Sequence, residues 1–290
     1  MKLFYCDVGA ILGDGGNFGD DLNPWLWPKL LPGAFGDDSE TLFVGIGTLL
    51  NERVPPAKTT LVFGTGVGYG EAMPKIDDSW RIYCLRGPLS ARALGVSPDL
   101  AVTDGALLVR QFVTVGGGRK RYPFSFMPHH LGARALGPVW ENACARLGYG
   151  YIDPRGPVEQ VLGALDETEV LLAEAMHGAI VADALGVPWA PVVTSRSIVF
   201  SFKWEDWCKS VEVEYTPNRL FPLRSVVGRM PLGKKARMAI AERVVRGQLR
   251  RIARSARPSL SREAVKGRLF ARLTERLDSL RQDLLNGLGQ

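Results

Sequence analysis

The chain carries three histidines, His129, His130 and His177, and each falls where a β-rich run gives way to a loop or helix. His129 and His130 follow a run ending at Met127. His177 follows the run 169–173 and opens a helical pattern with Gly178. Imidazole titrates near working pH, so histidines at such junctions suit proton transfer or the holding of an anion. A hydrogen-bonded structural histidine is the plainer reading of any one of them, but three of three at strand ends favours chemistry. A metal site is not expected: there is no HxxxH pair, and Glu174 precedes His177 by three residues without a second helical ligand. The absence of a GxSxG elbow argues against a nucleophilic serine.

Basic side chains occupy comparable positions. Arg86 directly follows the run 82–85, and Arg196 comes just after 189–193. Lys203 sits in the unusual segment Phe200-Ser201-Phe202-Lys203-Trp204-Glu205-Asp206-Trp207. A guanidinium matches carboxylate and phosphate geometry, so these residues are candidate anion clamps, with surface ion pairs as the alternative. The aromatic-basic run either stacks on a sugar face or seals a domain junction. A third feature is the loop Gly13-Asp14-Gly15-Gly16-Asn17-Phe18-Gly19-Asp20-Asp21. Its glycines allow close backbone approach to a ligand, but its spacing fits neither GxGxxG nor a Walker A loop. The pair Asp20-Asp21 would repel a phosphate, leaving a sugar-hydroxyl contact or a helix N-cap by Asp20.

The elements that must position these residues alternate between short β-rich runs and helical patterns. Strands are expected at 2–6, 41–45, 60–63 and 81–85, with helices at 20–31, interrupted by Pro24 and Pro28, and at 89–94. Gly116-Gly117-Gly118 reads as a linker, after which the pattern restarts. Strands at 122–127, 149–152, 169–173 and 189–193 alternate with helices at 139–147, 158–165 and 178–185. Such alternation implies parallel βαβ units, and two blocks of it imply two Rossmann-like domains facing a cleft. In open parallel sheets ligands bind outside the carboxyl ends of the strands, where the polar residues singled out above would fall. The expected division is 1–117, 118–217 and a helical extension over 218–290.

The net charge of +6 conceals an asymmetry: residues 219–290 hold 18 Lys+Arg against 5 Asp+Glu, and residues 1–218 hold 18 against 25. From Pro231 the apolar residues recur at helical spacing with arginines between them, an amphipathic helical pair. This tail either lies on an anionic membrane surface, or packs across both domains or mediates oligomers with its arginines left in solvent. The four cysteines, Cys6, Cys84, Cys144 and Cys208, are widely spaced, as expected of incidental thiols rather than zinc ligands or disulfides. The apolar stretch before Asp7 is too short for a secretory signal and no run reaches a membrane span, so the expected location is cytoplasmic.

Four motifs join into a resemblance. Gly16-Asn17-Phe18-Gly19-Asp20, Leu85-Arg86-Gly87-Pro88-Leu89-Ser90, Thr103-Asp104-Gly105-Ala106 and Glu174-Ala175-Met176-His177-Gly178-Ala179, with Gly186-Val187-Pro188, resemble the polysaccharide pyruvyltransferase signature in order. The likeness spans residues 3–205 and is nearest to the branch that forms ketal-linked pyruvate on exopolysaccharide sugars. It implies a glycosyltransferase-B-like pair of Rossmann domains, phosphoenolpyruvate as co-substrate, no separate cofactor and no metal. It also implies a lipid-linked oligosaccharide or polysaccharide acceptor and a place at the inner face of the cytoplasmic membrane. In that reading His177 leads proton transfer or phosphate binding, with His129 and His130 next. Arg86, Arg196 and Lys203 hold the donor, and Asn17, Asp20, Asp104 and Glu174 face the acceptor. Where the family has Ser-x-Arg-x-His-Gly, this chain has Glu174-Ala175-Met176 before the histidine, so another cation must take the arginine's part. The rival functions are a glycosyltransferase of the same architecture with a nucleotide-sugar donor, and a nucleic-acid-binding protein using the basic tail. The second leaves the histidines and glycine loop unexplained, and no nucleic acid is expected.

Overall fold

The computed structural model describes residues 1–13, 15–36, 40–68, 72–114, 118–194, 198–221 and 233–287. Asp14, the Gly116-Gly117 part of the expected linker, Arg196 and Pro231 lie outside the described residues. The first sheet comprises β1 (Lys2–Phe4), β2 (Thr41–Val44), β3 (Thr59–Thr65) and β4 (Trp80–Leu85), all parallel and neighbours in chain order. The second comprises β5 (Ser125–Met127), β6 (Gly150–Tyr151), β7 (Leu171–Ala173), β8 (Trp189–Val193) and β9 (Asn218–Arg219). It is also parallel, in the order β6-β5-β7-β8-β9.

The structure is thus α/β with two parallel sheets, compatible with the expected Rossmann-like pair. Only the second sheet has the doubly wound order, in which the chain reverses direction between β5 and β7 and opens a crevice at their carboxyl ends. In the first, the segments leading from β2 to β3 and from β3 to β4 hold no helix among the described residues.

The helices are α1 (Val8–Leu12), α2 (Phe18–Leu30), α3 (Pro88–Leu94), α4 (His130–Ala145), α5 (Val158–Asp166), α6 (Met176–Ala184) and α7 (Ile198–Ser210), then α8 (Lys234–Ser255) and α9 (Glu263–Leu285). A 3₁₀ segment spans Gly105–Gln111. The prolines do not interrupt α2. Pro24 has no N–H for the Asp20 carbonyl, and the Asn23 side-chain amide donates to that carbonyl instead, at 3.0 Å. Helix α4 starts nine residues before the expected 139, with non-helical backbone at Leu136, two residues before Pro138.

Alternate strand residues face opposite layers. Phe43, Leu61, Phe63, Cys84, Met127, Leu171, Ala173 and Trp189 join one core with α2, α5, α6 and α9, shared by both sheets. Their neighbours Leu42, Val44, Val62 and Leu85 pack in a second cluster. Phe126, Leu172, Ala190 and Val192 pack in a third with α4 and α8. The tail therefore roofs the sheets. Helix α8 buries Ala241, Val245, Leu249 and Ile252 on the second, and α9 buries Leu269, Leu273, Leu277 and Leu280 in the shared core.

Candidate active site

The carboxyl ends of both sheets open into one cavity of about 700 Å³. The first sheet contributes Tyr5 and Cys6 after β1, and Gly47, Thr48, Asn51 and Arg53 after β2. The glycine loop contributes Asn17 through Asp20. From the second sheet come His129 and His130 after β5, and Met176, His177 and Gly178 after β7, with Lys203 from α7. The two histidine groups thus flank the reversal point of the doubly wound sheet, where topology alone places a ligand.

The glycine loop works by close contact. Gly19 lies against the imidazole of His177, so a β-carbon there would come within 2.1 Å of Nδ1. Asn17, not Asp20, is the N-cap residue of α2, and its side chain donates to Asp20 Oδ2 at 2.6 Å. Burial pushes the Asp20 carboxyl above the usual carboxylate range, opposed by that hydrogen bond and by the charges of His177 and Lys203. Asp21 is raised to about 6, by burial and then by the Asp20 charge. A residue that sequence reasoning missed holds this wall in place. Buried Asn23 accepts from Trp27 Nε1 and Ile46 N, and donates to the Ile46 and Asp20 carbonyls. All four of its amide hydrogen-bonding positions are filled, which ties α2 to the turn leading to Gly47 and Thr48.

His129 caps α4, its Nδ1 accepting from Leu131 N at 3.3 Å, and its ring lies 4.5 Å from that of His130. Burial, then the positive potential of His130 and Lys203, lowers its pKa to about 3, so this imidazole is neutral at working pH. His130 is lowered for the same kinds of reason, burial first. Glu174 does not line the cavity. It lies behind, where Oε2 accepts from His129 N at 2.9 Å and Oε1 accepts from Thr194 Oγ1. The carboxyl therefore binds together the ends of β5, β7 and β8, and burial raises its pKa.

Two further residues stand apart from the cavity surface. Asp104 is completely buried behind His177, with Oδ2 3.7 Å from Nε2. Arg86 corrects the expectation of a donor clamp. Its guanidinium is fully buried and engages Asp206 at 3.2 Å, the Gly47 and Val67 carbonyls, and Thr48 Oγ1. It shapes the cavity wall from behind. Among the described residues, the lysine and arginine on the wall are Lys203 and Arg53, and no local pattern announced the place of Arg53 after β2. The two tryptophans of the aromatic run are not a sugar platform: Trp204 and Trp207 are buried against Trp189, and Trp204 stacks on Tyr215. Of the four thiols, Cys6 is exposed at the cavity and the other three are buried.

Fold and cavity together define an α/β protein whose candidate ligand site lies between the carboxyl ends of two parallel sheets. Compared with known proteins, the chain is 47% identical over 223 residues to the succinoglycan biosynthesis protein ExoV of Rhizobium meliloti (strain 1021), covering 76% of this chain and 68% of that one. The chain belongs to the polysaccharide pyruvyltransferase family. No family model matches it. No solved structure matches it.

Proposed function

We propose that the protein is an enzyme that transfers the enolpyruvyl carbons of phosphoenolpyruvate to a sugar of an exopolysaccharide repeat unit and closes them into a pyruvate ketal. The observation that supports this most is the convergence of His129, His130, His177, Lys203 and Arg53 with the Asn17–Asp20 pair on one cavity. The relative's name attaches that protein to succinoglycan biosynthesis. Protonation of the donor's methylene carbon leaves a cationic centre at C2, one sugar hydroxyl adds there, phosphate departs, and a second hydroxyl closes the ring. The carbon gains one proton and phosphate another, and the two hydroxyls supply both. The site must therefore offer a proton carrier, a base and cations.

His177 is the proton carrier in this reading. Lys203 and Arg53 supply positive charge for phosphate and carboxylate. Neutral His129 serves as a hydrogen-bonding partner rather than as a cation. Asp20, held by Asn17, faces the acceptor hydroxyls. We read the paired sheets as glycosyltransferase-B-like. The acceptor is a lipid-linked oligosaccharide or polysaccharide at the cytoplasmic face of the membrane, where the outward basic side of α8 holds the protein to anionic lipid. No helix among the described residues is long and apolar enough to cross a membrane.

The test is phosphate release from phosphoenolpyruvate with and without acidic exopolysaccharide oligosaccharides, followed by mass spectrometry of the sugar. Acceptor-dependent release, with the sugar heavier by one pyruvate less one water, is the expected result. Binding of a nucleotide sugar with no binding of phosphoenolpyruvate would replace this reading with glycosyl transfer.

A further inference from the structure

We propose that Asp104 is a positioning residue that fixes the tautomer of His177, keeping the proton on Nε2 so that Nδ1 is the atom offered to the cavity. The functional meaning of this rests on the reading of His177 as the proton carrier; the structural assignment does not.

Among the described residues only four buried side-chain polar atoms lack a hydrogen-bond partner, and two of them are Asp104 Oδ2 and His177 Nε2. They face each other at 3.7 Å. Leaving a buried polar atom unsatisfied is costly, so two such atoms aimed at each other point to a shared purpose. If neither carried a proton, two lone pairs would oppose each other without water, which is repulsive. A proton therefore lies between them, and it belongs on the imidazole, the stronger base of the two types. The separation is longer than a hydrogen bond. Contacts of this kind in ligand-free sites are often long and tighten in the complex.

Asp104 is built for such a role. Its other oxygen, Oδ1, accepts from Ala106 N at 3.0 Å and caps the 3₁₀ segment, so the carboxyl cannot turn away. It is 0% exposed and does not line the cavity, so it acts only through His177. The opposite edge of the imidazole, Nδ1, lies against Gly19 beside Asp20, both on the cavity wall. Asp104 follows the first sheet and His177 the second, so one half of the molecule orients the imidazole carried by the other. The logic is that of a carboxylate behind a catalytic histidine, which acts by holding tautomer and orientation.

The experiment uses the whole, ligand-free protein labelled with [15N]histidine. Long-range proton–nitrogen spectra report the tautomer of each of its three imidazoles, with signals assigned through His129→Gln and His130→Gln. The neutral form of His177 is expected to carry its proton on Nε2. In Asp104→Asn the amide oxygen keeps the cap and the amide nitrogen donates to Nε2, which moves the proton to Nδ1. Asp104→Ser keeps a capping oxygen but removes the oxygen facing His177, and gives a mixture of tautomers. A proton on Nδ1 in the parent, or an unchanged Nε2 preference in both variants, overturns the assignment. Phosphate release is then measured on the same proteins. A fall in kcat of about 100-fold for Asp104→Asn, with KM for phosphoenolpyruvate little changed, is expected. If the tautomer results hold but the parent releases no phosphate from phosphoenolpyruvate with any acceptor, the proposed function fails and the role of Asp104 stands.

Discussion

His129 shows how a single buried side chain couples the cavity to pH. Its folded pKa of about 3 lies below the ordinary 6.5, because burial and then the charges of His130 and Lys203 disfavour the imidazolium. Between those values the unfolded chain binds a proton that the folded chain does not. Its contribution to stability is therefore complete above pH 6.5 and is lost as pH falls toward 3, at about 1.4 kcal/mol per unit. Asp21 has the opposite sign. Raised from 3.8 to about 6, it keeps a proton in the folded state that the unfolded chain has shed, so its contribution is lost as pH rises through that interval. The two slopes oppose each other where the windows overlap. His129→Gln removes one of them. Urea midpoints measured at stepped pH should show the variant gaining on the parent progressively below pH 6.5, on top of any constant offset from the lost α4 cap. A constant difference across that range would show that His129 does not titrate as a buried neutral group.

At the scale of elements, α7 is the strap between the halves. It leaves the second sheet, carries Lys203 to the cavity, and inserts Asp206 into the first half. There Oδ1 accepts from Leu89 N and Ser90 N at the start of α3, while Oδ2 accepts from Ser90 Oγ and pairs with Arg86. Asp206→Ala leaves Arg86 charged and buried without its partner, which should cost roughly 3–5 kcal/mol. The double variant Arg86→Met, Asp206→Leu should recover only part of that loss: neither charge is then buried, but the Gly47 and Val67 carbonyls and the Leu89 and Ser90 N–H groups lose their partners. A loss well under 1 kcal/mol in the single variant would show that the strap is held by the surrounding tryptophans instead.

This pair also marks the limit of what the sequence discloses. The histidines were legible because a strand end followed by a helix start is a local pattern, and the topology then carries such ends to one cavity. The parallel strands were legible for the same reason, through short apolar runs between glycine turns. Arg86 was misread because its acidic partner is distant in sequence, and no periodicity reveals a contact at that separation. Asn23 and Arg53 carried no signal either, since their roles come from the walls packed around them. The prolines of α2 were read as breaks because the replacement hydrogen bond from Asn23 exists only once the helix has formed.

At the scale of the whole molecule, the tail is both roof and basic surface. Its apolar stripes are buried on the sheets, so membrane insertion through those stripes would compete with the fold itself. Removing residues 233–287 would expose both sheets, and truncation is therefore a poor test of any surface role. The two helices differ in how their charges are used. At the start of α9 and along it, Arg262 (its N-cap residue) and Arg268 pair with Glu212, and Arg281 with Asp278 and the Leu30 carbonyl. On α8, Arg243, Arg250 and Arg254 form one exposed stripe opposite the buried Ala241, Val245, Leu249 and Ile252. Arginine near an anionic bilayer contributes about 1 kcal/mol each, screened by salt. Changing Arg243, Arg250 and Arg254 together to Gln should weaken binding to vesicles rich in anionic lipid by about 3 kcal/mol, near 100-fold, without lowering the thermal midpoint. Arg262→Gln with Arg268→Gln should leave vesicle binding unchanged, because those side chains already serve Glu212. Parent protein that fails to bind anionic vesicles even at low salt, or binds neutral ones equally well, would remove the bilayer from the proposed function and leave α8 as roof alone.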